Sequence, residues 1–350
     1  MCSISIVLVF IALSQFCTGY KVYWNIPTEL CKVRHNMSFM YVAEEYGITI
    51  NENDMFKGNE LTILYTPGLY PEIKGYKHNS SLSDDKQNLS NLTYINGGLP
   101  QDGNMAKHLA AFKVFVDKSV PDKNNKGLII IDMEHFGATW QQNFNDMLVY
   151  KILTRKRIQE RMPFLPKALV EAQAKREYEK AAMNFIEKTI EYGKTLRPYA
   201  KWGYYQYPQC FNQVGVDFCS KATQNDNNLL YRLYQLSDAL YPSLYLGQKG
   251  TVEGRASQIR GGVREVTRVM KYAKKTSLNI PYIWYKYFFV SGEILDADLE
   301  NLIGLPKEEG ADGVILWGSS GDLRNLEMCQ YFDNYVRKSI GPIAKKYVTN

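Results

Sequence analysis

The sequence predicts an α/β fold, a distorted (β/α) TIM-like barrel of about seven strands in a single domain. Short apolar runs alternate with long amphipathic stretches along the whole chain. Such alternation favours a parallel sheet, and a chain of this length with strands throughout closes most simply into a barrel. No linker rich in Pro, Ser or Gly divides the chain, so one domain is expected.

Seven strands are predicted from short runs of branched and aromatic residues. They cover residues 22–26, 61–65, 127–132, 201–207, 240–246, 281–287 and 313–317. Helices are predicted where apolar residues recur every three or four positions. These patterns cover residues 104–118, 143–162, 168–196, 227–236, 252–275, 297–309 and 326 to about 346. In such barrels the chemistry lies at the carboxyl ends of the strands, so the residues that end each strand are the candidates for function.

Residues 1–19 have the pattern of a secretory signal peptide. An apolar run at 4–13 is followed by small and polar residues that end at Gly19. The run is shorter than the ~20 apolar residues that span a bilayer, and no later stretch reaches that length. We therefore expect residues 20–350 to form one barrel domain that is secreted to the extracellular space, with no membrane association, as a monomer.

Four cysteines remain after the predicted signal peptide: Cys31, Cys210, Cys219 and Cys329. An even number in an oxidising compartment favours two disulfides. Cys210 and Cys219 are close enough in sequence to close one loop, which leaves Cys31 with Cys329 to tie the two ends of the domain. Zinc is the poorer interpretation, because no paired Cys/His spacing occurs and there are only four histidines. We expect no metal and no cofactor.

Four Asn-x-Ser/Thr sequences are candidate glycosylation sites, at Asn36, Asn79, Asn88 and Asn91. Three of them crowd one polar segment, at about 78–94. We interpret this segment as a mobile surface insertion rather than a binding site.

The chain has a modest basic excess, with 42 Lys and Arg against 36 Asp and Glu, a net charge of +6. Such an excess suits an acidic extracellular partner such as a polyanionic glycan. Nucleic-acid binding would require a denser basic stripe and a recognisable module, and the sequence has neither.

Two carboxylates, Asp132 and Glu134, directly follow the apolar run at 127–131. Residues i and i+2 of a strand share a face, so the two carboxyls should lie roughly 6–7 Å apart at the carboxyl end of a barrel strand. Two like charges this close do not both ionise easily, so one can serve as a general acid while the other stays anionic. This is the geometry of a glycosidase. The alternative is a pair of solvated acids at a strand end or a helix N-cap.

Aromatic residues are frequent at the predicted strand ends, in a chain that has 26 tyrosines and five tryptophans. Aromatic faces stack on sugar rings and phenol hydroxyls bond ring substituents, so the barrel mouth suits a carbohydrate. For Tyr204 and Trp284 core packing is the favoured interpretation. For Tyr205, Tyr245 and Trp317 the binding site is favoured, because each lies where its strand should end.

These residues resemble the hyaluronidases of glycoside hydrolase family 56, especially the insect venom and salivary forms. The similarity extends over essentially the whole mature chain. Its main motifs are 22–28 with Cys31, 63–68, 96–104, 131–134, 202–210, 242–245, 284–287 and 311–320.

The resemblance implies endo-hydrolysis of the β-1,4 bonds of hyaluronan, with chondroitin as a possible second substrate. Glu134 would be the acid/base, and Asp132 would orient and charge-stabilise the acetamido group of the substrate, whose oxygen is the nucleophile. This is the substrate-assisted exception to the usual retaining scheme. The remaining matches to the family's substrate-binding positions are Tyr205, Tyr245, Trp317, Tyr65, Ser319 and Ser320. The two predicted disulfides also match the bridges of the family.

Three departures from the family pattern stand out. Met133 replaces the usual aromatic residue between the carboxylates, and Phe136 stands where related chains commonly carry tryptophan. Gly262 stands where many relatives place an arginine, and Arg260 and Arg264 are the candidates to replace that cation. If neither replaces it, binding of the substrate carboxylate should weaken.

Two other functions compete with an active hyaluronidase. One is a catalytically inactive glycan-binding homologue of saliva or venom, against which the intact Asp132 and Glu134 argue. The other is the same catalysis on chondroitin or on a chitin-like polymer, and the basic excess disfavours neutral chitin.

Overall fold

The computed structural model describes residues 19–349, and the predicted signal peptide lies outside them except for Gly19. The strands are β1 (Lys21–Asn25), β2 (Leu61–Tyr65), β3 (Glu72–Lys74), β4 (Thr93–Ile95), β5 (Leu128–Asp132), β6 (Lys201–Tyr204), β7 (Ala239–Leu240), β8 (Leu278–Asn279), β9 (Tyr282–Trp284) and β10 (Gly313–Trp317). Each of the seven predicted strand regions overlaps a strand, although the region 240–246 shares only Leu240 with β7. β3, β4 and β8 were not predicted.

The longer helices follow the predicted amphipathic stretches. The helices are α1 (Glu29–His35), α2 (Tyr41–Tyr46), α3 (Met105–Ser119), α4 (Leu148–Arg161), α5 (Lys167–Leu196), α6 (Lys221–Asn228), α7 (Tyr231–Leu236), α8 (Val252–Ala273), α9 (Asp296–Glu308), α10 (Leu326–Tyr335) and α11 (Gly341–Tyr347). The last predicted helix is α10 and α11 joined by a π-helical turn at Val336–Ile340. None of the described helices is both long and apolar enough to cross a bilayer.

Parallel strands form the wall of a distorted (β/α) barrel. β2, β5 and β6 pair in that order, as do β1, β10 and β9, while β7 pairs with β8. Single parallel bridges join Tyr205 to Tyr241 and Ser243 to Tyr282, so the segment after β7 connects the two larger sheets. The parallel arrangement and the barrel predicted from the sequence are confirmed.

The wall is irregular where proline interrupts it. The predicted strands at 240–246 and 281–287 are mostly reduced to short pieces, and Pro242 and Pro281 lie within these segments. A proline has no N–H to donate to a neighbouring strand, which limits the ladder there. On the other side of the barrel, Thr49 pairs with β1, and the Asn51 side chain bonds the backbone at the start of β2.

One interior cluster is formed by residues from all around the wall. Its buried members are Tyr23, Leu61, Ile63, Leu128, Ile130, Ala239, Tyr241, Ile280, Tyr282 and Ile315. Alternate residues of β5 point the other way, and Ile129 and Ile131 pack into the core beneath the helices. This period-two alternation determines which side chains reach the barrel mouth.

The structure contains two disulfides, with the pairing that the sequence predicted. Cys31 in α1 bonds Cys329 in α10, with a Cα–Cα distance of 5.9 Å across 298 residues. Cys210 bonds Cys219, with a Cα–Cα distance of 5.3 Å. On the chain-entropy model, the long-range bridge stabilises the fold by roughly 4–5 kcal/mol.

The segment at about 78–94 projects from an antiparallel hairpin made by β3 and β4. Gln87 is buried inside it and donates from its side-chain amide to the carbonyls of Asn79 and Leu82. The segment is therefore a surface insertion with an internal polar anchor. Asn36 and the three asparagines of this segment are all exposed, and glycosylation at these four sites stays a prediction.

Candidate active site

The two carboxylates lie at the carboxyl end of β5, at the mouth of the barrel. Asp132 shares the inward face of β5 with Ile130 and is 8% exposed. Glu134 follows it two residues later and is exposed. Met133, between them, points into the core beneath the helices together with Phe136. The two substituted positions next to the pair are therefore buried packing residues, as expected for Met133, and both also line the space at the barrel mouth.

Burial, the neighbouring charge of Glu134 and a hydrogen bond between the two carboxyls, in that order of size, together raise the pKa of Asp132 to about 8. The sequence analysis expected Asp132 to stay anionic. In the structure Asp132 is the more buried member of the pair, and a low-dielectric surrounding disfavours its charged form. The pair therefore holds one proton near neutral pH.

Gln206 contacts the pair directly, and the sequence analysis did not select it. Its side-chain amide donates a hydrogen bond to Glu134. Its own carbonyl accepts from Gln209 at 3.2 Å, which fixes the orientation of the amide. The backbone of Gln206 has a φ of 74°, and its N–H donates to the Tyr241 carbonyl at 2.9 Å. This left-handed conformation after β6 aims the side chain at Glu134.

Aromatic residues from three neighbouring strand ends line the space beside the carboxylates. Tyr245 stacks on Trp317 with ring centroids 5.9 Å apart. Tyr205 donates from its hydroxyl to Ser243 at 3.2 Å and packs edge-on against Tyr282. Burial raises the pKa of Tyr205 and of Tyr245, so both stay neutral phenols that can donate and accept hydrogen bonds.

Tyr65, at the end of β2, lies next to Trp317 and the two carboxylates. Its hydroxyl accepts a hydrogen bond from the Trp317 indole at 3.0 Å. The pKa of Tyr65 is raised to about 12, because burial and the nearby carboxylates Asp132 and Glu134 outweigh the lowering effect of the hydrogen bond with Trp317. The structure thus brings Tyr65, Trp317 and the carboxylate pair to one place.

The sequence interpretations of Tyr204 and Trp284 have different outcomes. Tyr204 is buried and bonds the Tyr70 hydroxyl at 2.8 Å, so it is a core residue as expected. Trp284 is only partly buried and its ring lies 5.3 Å from that of Trp317. It lines the cavity, so the core interpretation of Trp284 was wrong.

The carboxylates and aromatic residues surround a main cavity of about 750 Å³. Two smaller cavities adjoin it. The first, about 530 Å³, shares Trp284, Phe288 and Trp317 with the main cavity and is lined by Lys286 and Arg324, so we call it the cationic lobe. The second, about 340 Å³, shares Ser243 and Tyr245 with the main cavity and has no charged lining among the described residues, so we call it the uncharged lobe.

Ser319 and Ser320 follow β10 at the edge of the cationic lobe. Ser319 lines the lobe, and its hydroxyl accepts from the Gly321 N–H at 3.0 Å. Ser320 is exposed, and it is absent from the described lining of both the main cavity and the cationic lobe.

Neither candidate arginine replaces the cation missing at Gly262. Gly262 lines the uncharged lobe, and a Cβ there would overlap the Leu244 side chain. Arg264 bonds Glu309 and Asp217 outside the lobe. Arg260 pairs with Glu253 at 3.2 Å and with Glu309. In the described structure both arginines are held by carboxylates away from the cavities.

Comparison with known proteins identifies the family. The model of the family described as hyaluronidase, glycoside hydrolase family 56, matches residues 15–350. This chain belongs to the hyaluronidase family. The hyaluronidase of Apis mellifera is 35% identical over 337 residues, which cover 95% of this chain and 85% of the relative. Hyaluronidase Tab y 2.0101 of Tabanus yao is 33% identical, covering 93% of this chain and 91% of the relative.

A solved hyaluronidase structure shares the fold. Bee venom hyaluronidase in complex with a hyaluronic acid tetramer superposes with a TM-score of 0.85 at 35% identity, covering 94% of this chain and 99% of that chain. The family resemblance noted from the sequence is thus confirmed over nearly the whole chain. As a glycoside hydrolase, a hyaluronidase needs groups for proton transfer, and the Asp132 and Glu134 carboxyls are the candidates for that role.

Proposed function

We propose that this chain is a secreted endo-β-N-acetylglucosaminidase that hydrolyses the β-1,4 bonds of hyaluronan, with chondroitin as a second substrate. The observation that carries the proposal is the coupled pair of a buried Asp132 and an exposed Glu134 in an aromatic cavity. The hyaluronic acid tetramer bound by bee venom hyaluronidase supports hyaluronan as the substrate.

Glu134 is the general acid and then the general base. It is the exposed member of the pair, so the glycosidic oxygen of a bound polymer can reach it. The proton that the pair holds near neutral pH passes to Glu134 across the hydrogen bond between the carboxyls. Glu134 donates this proton to the departing sugar oxygen as the glycosidic bond breaks, and later takes one from the attacking water.

The substrate supplies the nucleophile in this mechanism. The acetamido carbonyl oxygen attacks the anomeric carbon from the face opposite the leaving oxygen, and positive charge develops on the acetamido group. Asp132, now the anion of the pair, accepts the acetamido N–H and stabilises that charge. Water then attacks the anomeric carbon and opens the cyclic intermediate. Two displacements leave the anomeric configuration retained.

Tyr205, Tyr245 and Trp317 hold the acetamido group in position. The stacked pair of Tyr245 and Trp317 forms an apolar wall for the acetamido methyl group. The hydroxyls of Tyr205 and Tyr245 stay protonated, so they can donate to the acetamido oxygen. Correct placement of an internal nucleophile is worth a large part of the barrier, so these contacts should affect kcat.

Replacing Tyr245 with Phe should lower kcat on hyaluronan about 10- to 100-fold, because the hydroxyl that orients the acetamido group is lost. The ring and its stack on Trp317 remain, so the melting temperature should stay near that of the wild type. Tyr231→Phe, on an exposed tyrosine of α7, is the matched control and should leave kcat unchanged. A folded Tyr245→Phe protein with wild-type kcat would show that the hydroxyl takes no part.

Export as a monomer is part of the same proposal. Residues 1–19 direct the chain to the secretory pathway, and two disulfides suit the oxidising compartment that it leads to. One chain supplies the carboxylate pair and the aromatic wall, so no second copy is needed to complete the cavity.

The test is hydrolysis of hyaluronan by the purified chain, followed as new reducing ends between about pH 4 and 8, with chondroitin assayed in parallel. We expect depolymerisation of hyaluronan, and NMR of the first product should show the β-anomer before mutarotation. Binding without any new reducing ends would support the inactive glycan-binding homologue instead. An initial α-anomer would reject the substrate-assisted mechanism but not the hydrolase.

A further inference from the structure

The cavities carry an uneven distribution of charge. The described lining of the main cavity contains two acidic side chains, Asp132 and Glu134, and no Lys or Arg. The uncharged lobe contains Gly262 and no charged side chain in its described lining. The cationic lobe contains two cations, Lys286 and Arg324, and one carboxylate, Asp322. Of these three adjoining cavities, the cationic lobe is therefore the one whose described lining has Lys or Arg side chains.

Arg324 provides the available charge in the cationic lobe. Lys286 is paired with Asp322 at 2.6 Å, and Asp322 also accepts from the Tyr285 hydroxyl at 2.9 Å. No carboxylate among residues 19–349 forms an ion pair with Arg324, whose side chain is exposed. The backbone of Arg324 is nevertheless held in place, because a 3-10 turn at Ser320–Asp322 precedes it and Asn325, the N-cap of α10, follows it.

The cationic lobe also has the neutral features of a sugar site. Trp284, Phe288 and Trp317 form the aromatic boundary that it shares with the main cavity, and Ser319 contributes a hydroxyl. Phe289 is 95% exposed at the rim and packs edge-on against Phe288. Aromatic faces and a hydroxyl suit a pyranose ring, while a guanidinium forms a fork that matches a carboxylate.

Resting on the proposed function, we propose that Arg324 is a further specificity-determining residue, which binds a hexuronate carboxylate of the substrate in the cationic lobe. The negative main cavity disfavours a hexuronate and accepts the neutral N-acetylhexosamine, so the charge distribution sets the register of an alternating polymer. Arg324 thereby supplies, in the cationic lobe, a cation that position 262 in the uncharged lobe lacks.

The test is a binding cycle that separates the carboxylate from the rest of the sugar. Kd is measured by titration calorimetry for a hyaluronan hexasaccharide and for its carboxyl-reduced form, in which each hexuronate is a neutral hexose. The full chain carries Glu134→Gln to prevent turnover, and is compared with the same chain carrying Arg324→Gln, Arg324→Lys or Arg260→Gln. Arg260 is the matched control, an arginine held by Glu253 and Glu309 away from the cavities.

Arg324→Gln should raise Kd for the native hexasaccharide roughly three- to tenfold, and should change Kd for the carboxyl-reduced form by less than about twofold. Arg324→Lys should recover part of the loss, and Arg260→Gln should match the parent. The proposal is overturned if Arg324→Gln weakens both oligosaccharides equally, or if Arg260→Gln reproduces its effect. Hydrolysis of hyaluronan by the protein with Glu134 intact is measured separately. A lack of hydrolysis would contradict the proposed enzyme activity, while the binding cycle would still test the role of Arg324.

Discussion

Glu134→Gln should lower kcat on hyaluronan by ~10²–10⁴-fold, the range expected when a general acid/base is removed. Glutamine keeps the shape of the side chain but has no proton to donate and cannot activate water. Glu134 is exposed at the cavity, so its replacement disturbs no packed core. Kd for a hyaluronan hexasaccharide should therefore stay within about threefold of the wild type.

The control for this variant is Glu160→Gln, on the outer face of α4. Glu160 is 66% exposed and lies 4.0 Å from Lys156, a surface pair of little energetic weight. Its kcat should equal that of the wild type. Glu134→Gln activity within threefold of the wild type, on folded protein, would show that another group donates the proton.

The carboxylate pair was predictable because the sequence shows both a buried strand and, through the alternation of side chains along it, the face on which Asp132 lies. The branched run at 127–131 specifies a buried strand, and alternation along β5 places Asp132 on the same face as Ile130. The aromatic strand ends follow the same logic, since parallel strands deliver their last residues to one mouth. Tyr205, Tyr245 and Trp317 consequently meet in the structure although they are far apart in sequence.

Gln206 was not predictable, because its role depends on a backbone conformation and not on residue periodicity. With a φ of 74°, Gln206 does not follow the alternation of side chains along a strand, and its amide reaches Glu134. Nothing in the motif around Tyr205 and Tyr207 signals that turn. Trp284 was misassigned for a different reason, since alternation along β9 places it on the same face as the interior residue Tyr282, and the end of the strand leaves it in the cavity lining.

The short helices and the role of Arg324 in the cationic lobe could not be predicted from the sequence. α1, α2 and α6 have seven, six and eight residues, too few to establish a helical period against chance. An arginine can bind a substrate carboxylate only if no carboxylate of the protein already pairs with it. Such pairs join residues far apart in sequence, for example Arg264 and Asp217, which are 47 residues apart. Sequence spacing thus selected Arg260 and Arg264, whereas the structure leaves Arg324 facing the cavities.

The proton of the pair leads to a second large effect. Asp132→Asn should lower kcat on hyaluronan by roughly 10²–10³-fold, because the variant has no anion to stabilise the acetamido group and no proton to pass to Glu134. The loss should appear at every pH, since asparagine does not titrate. Asp122→Asn, at an exposed position, is the control and should retain wild-type kcat.

The same substitution should stabilise the fold at neutral pH, which distinguishes lost chemistry from damaged packing. The pKa of Asp132 is raised from an ordinary 3.8 to about 8, mainly by burial. Between these values the folded protein holds a proton that the unfolded chain has released, so the free energy of unfolding falls as pH rises through this window. The Asp132→Asn substitution removes this dependence of the unfolding free energy on pH.

The melting temperature of Asp132→Asn should therefore exceed that of the wild type at pH values near 8, and the difference should vanish towards about pH 4. A variant with lower kcat and a lower melting temperature at both ends of this range would mean that Asp132 acts through packing, and a wild-type kcat would remove it from the mechanism.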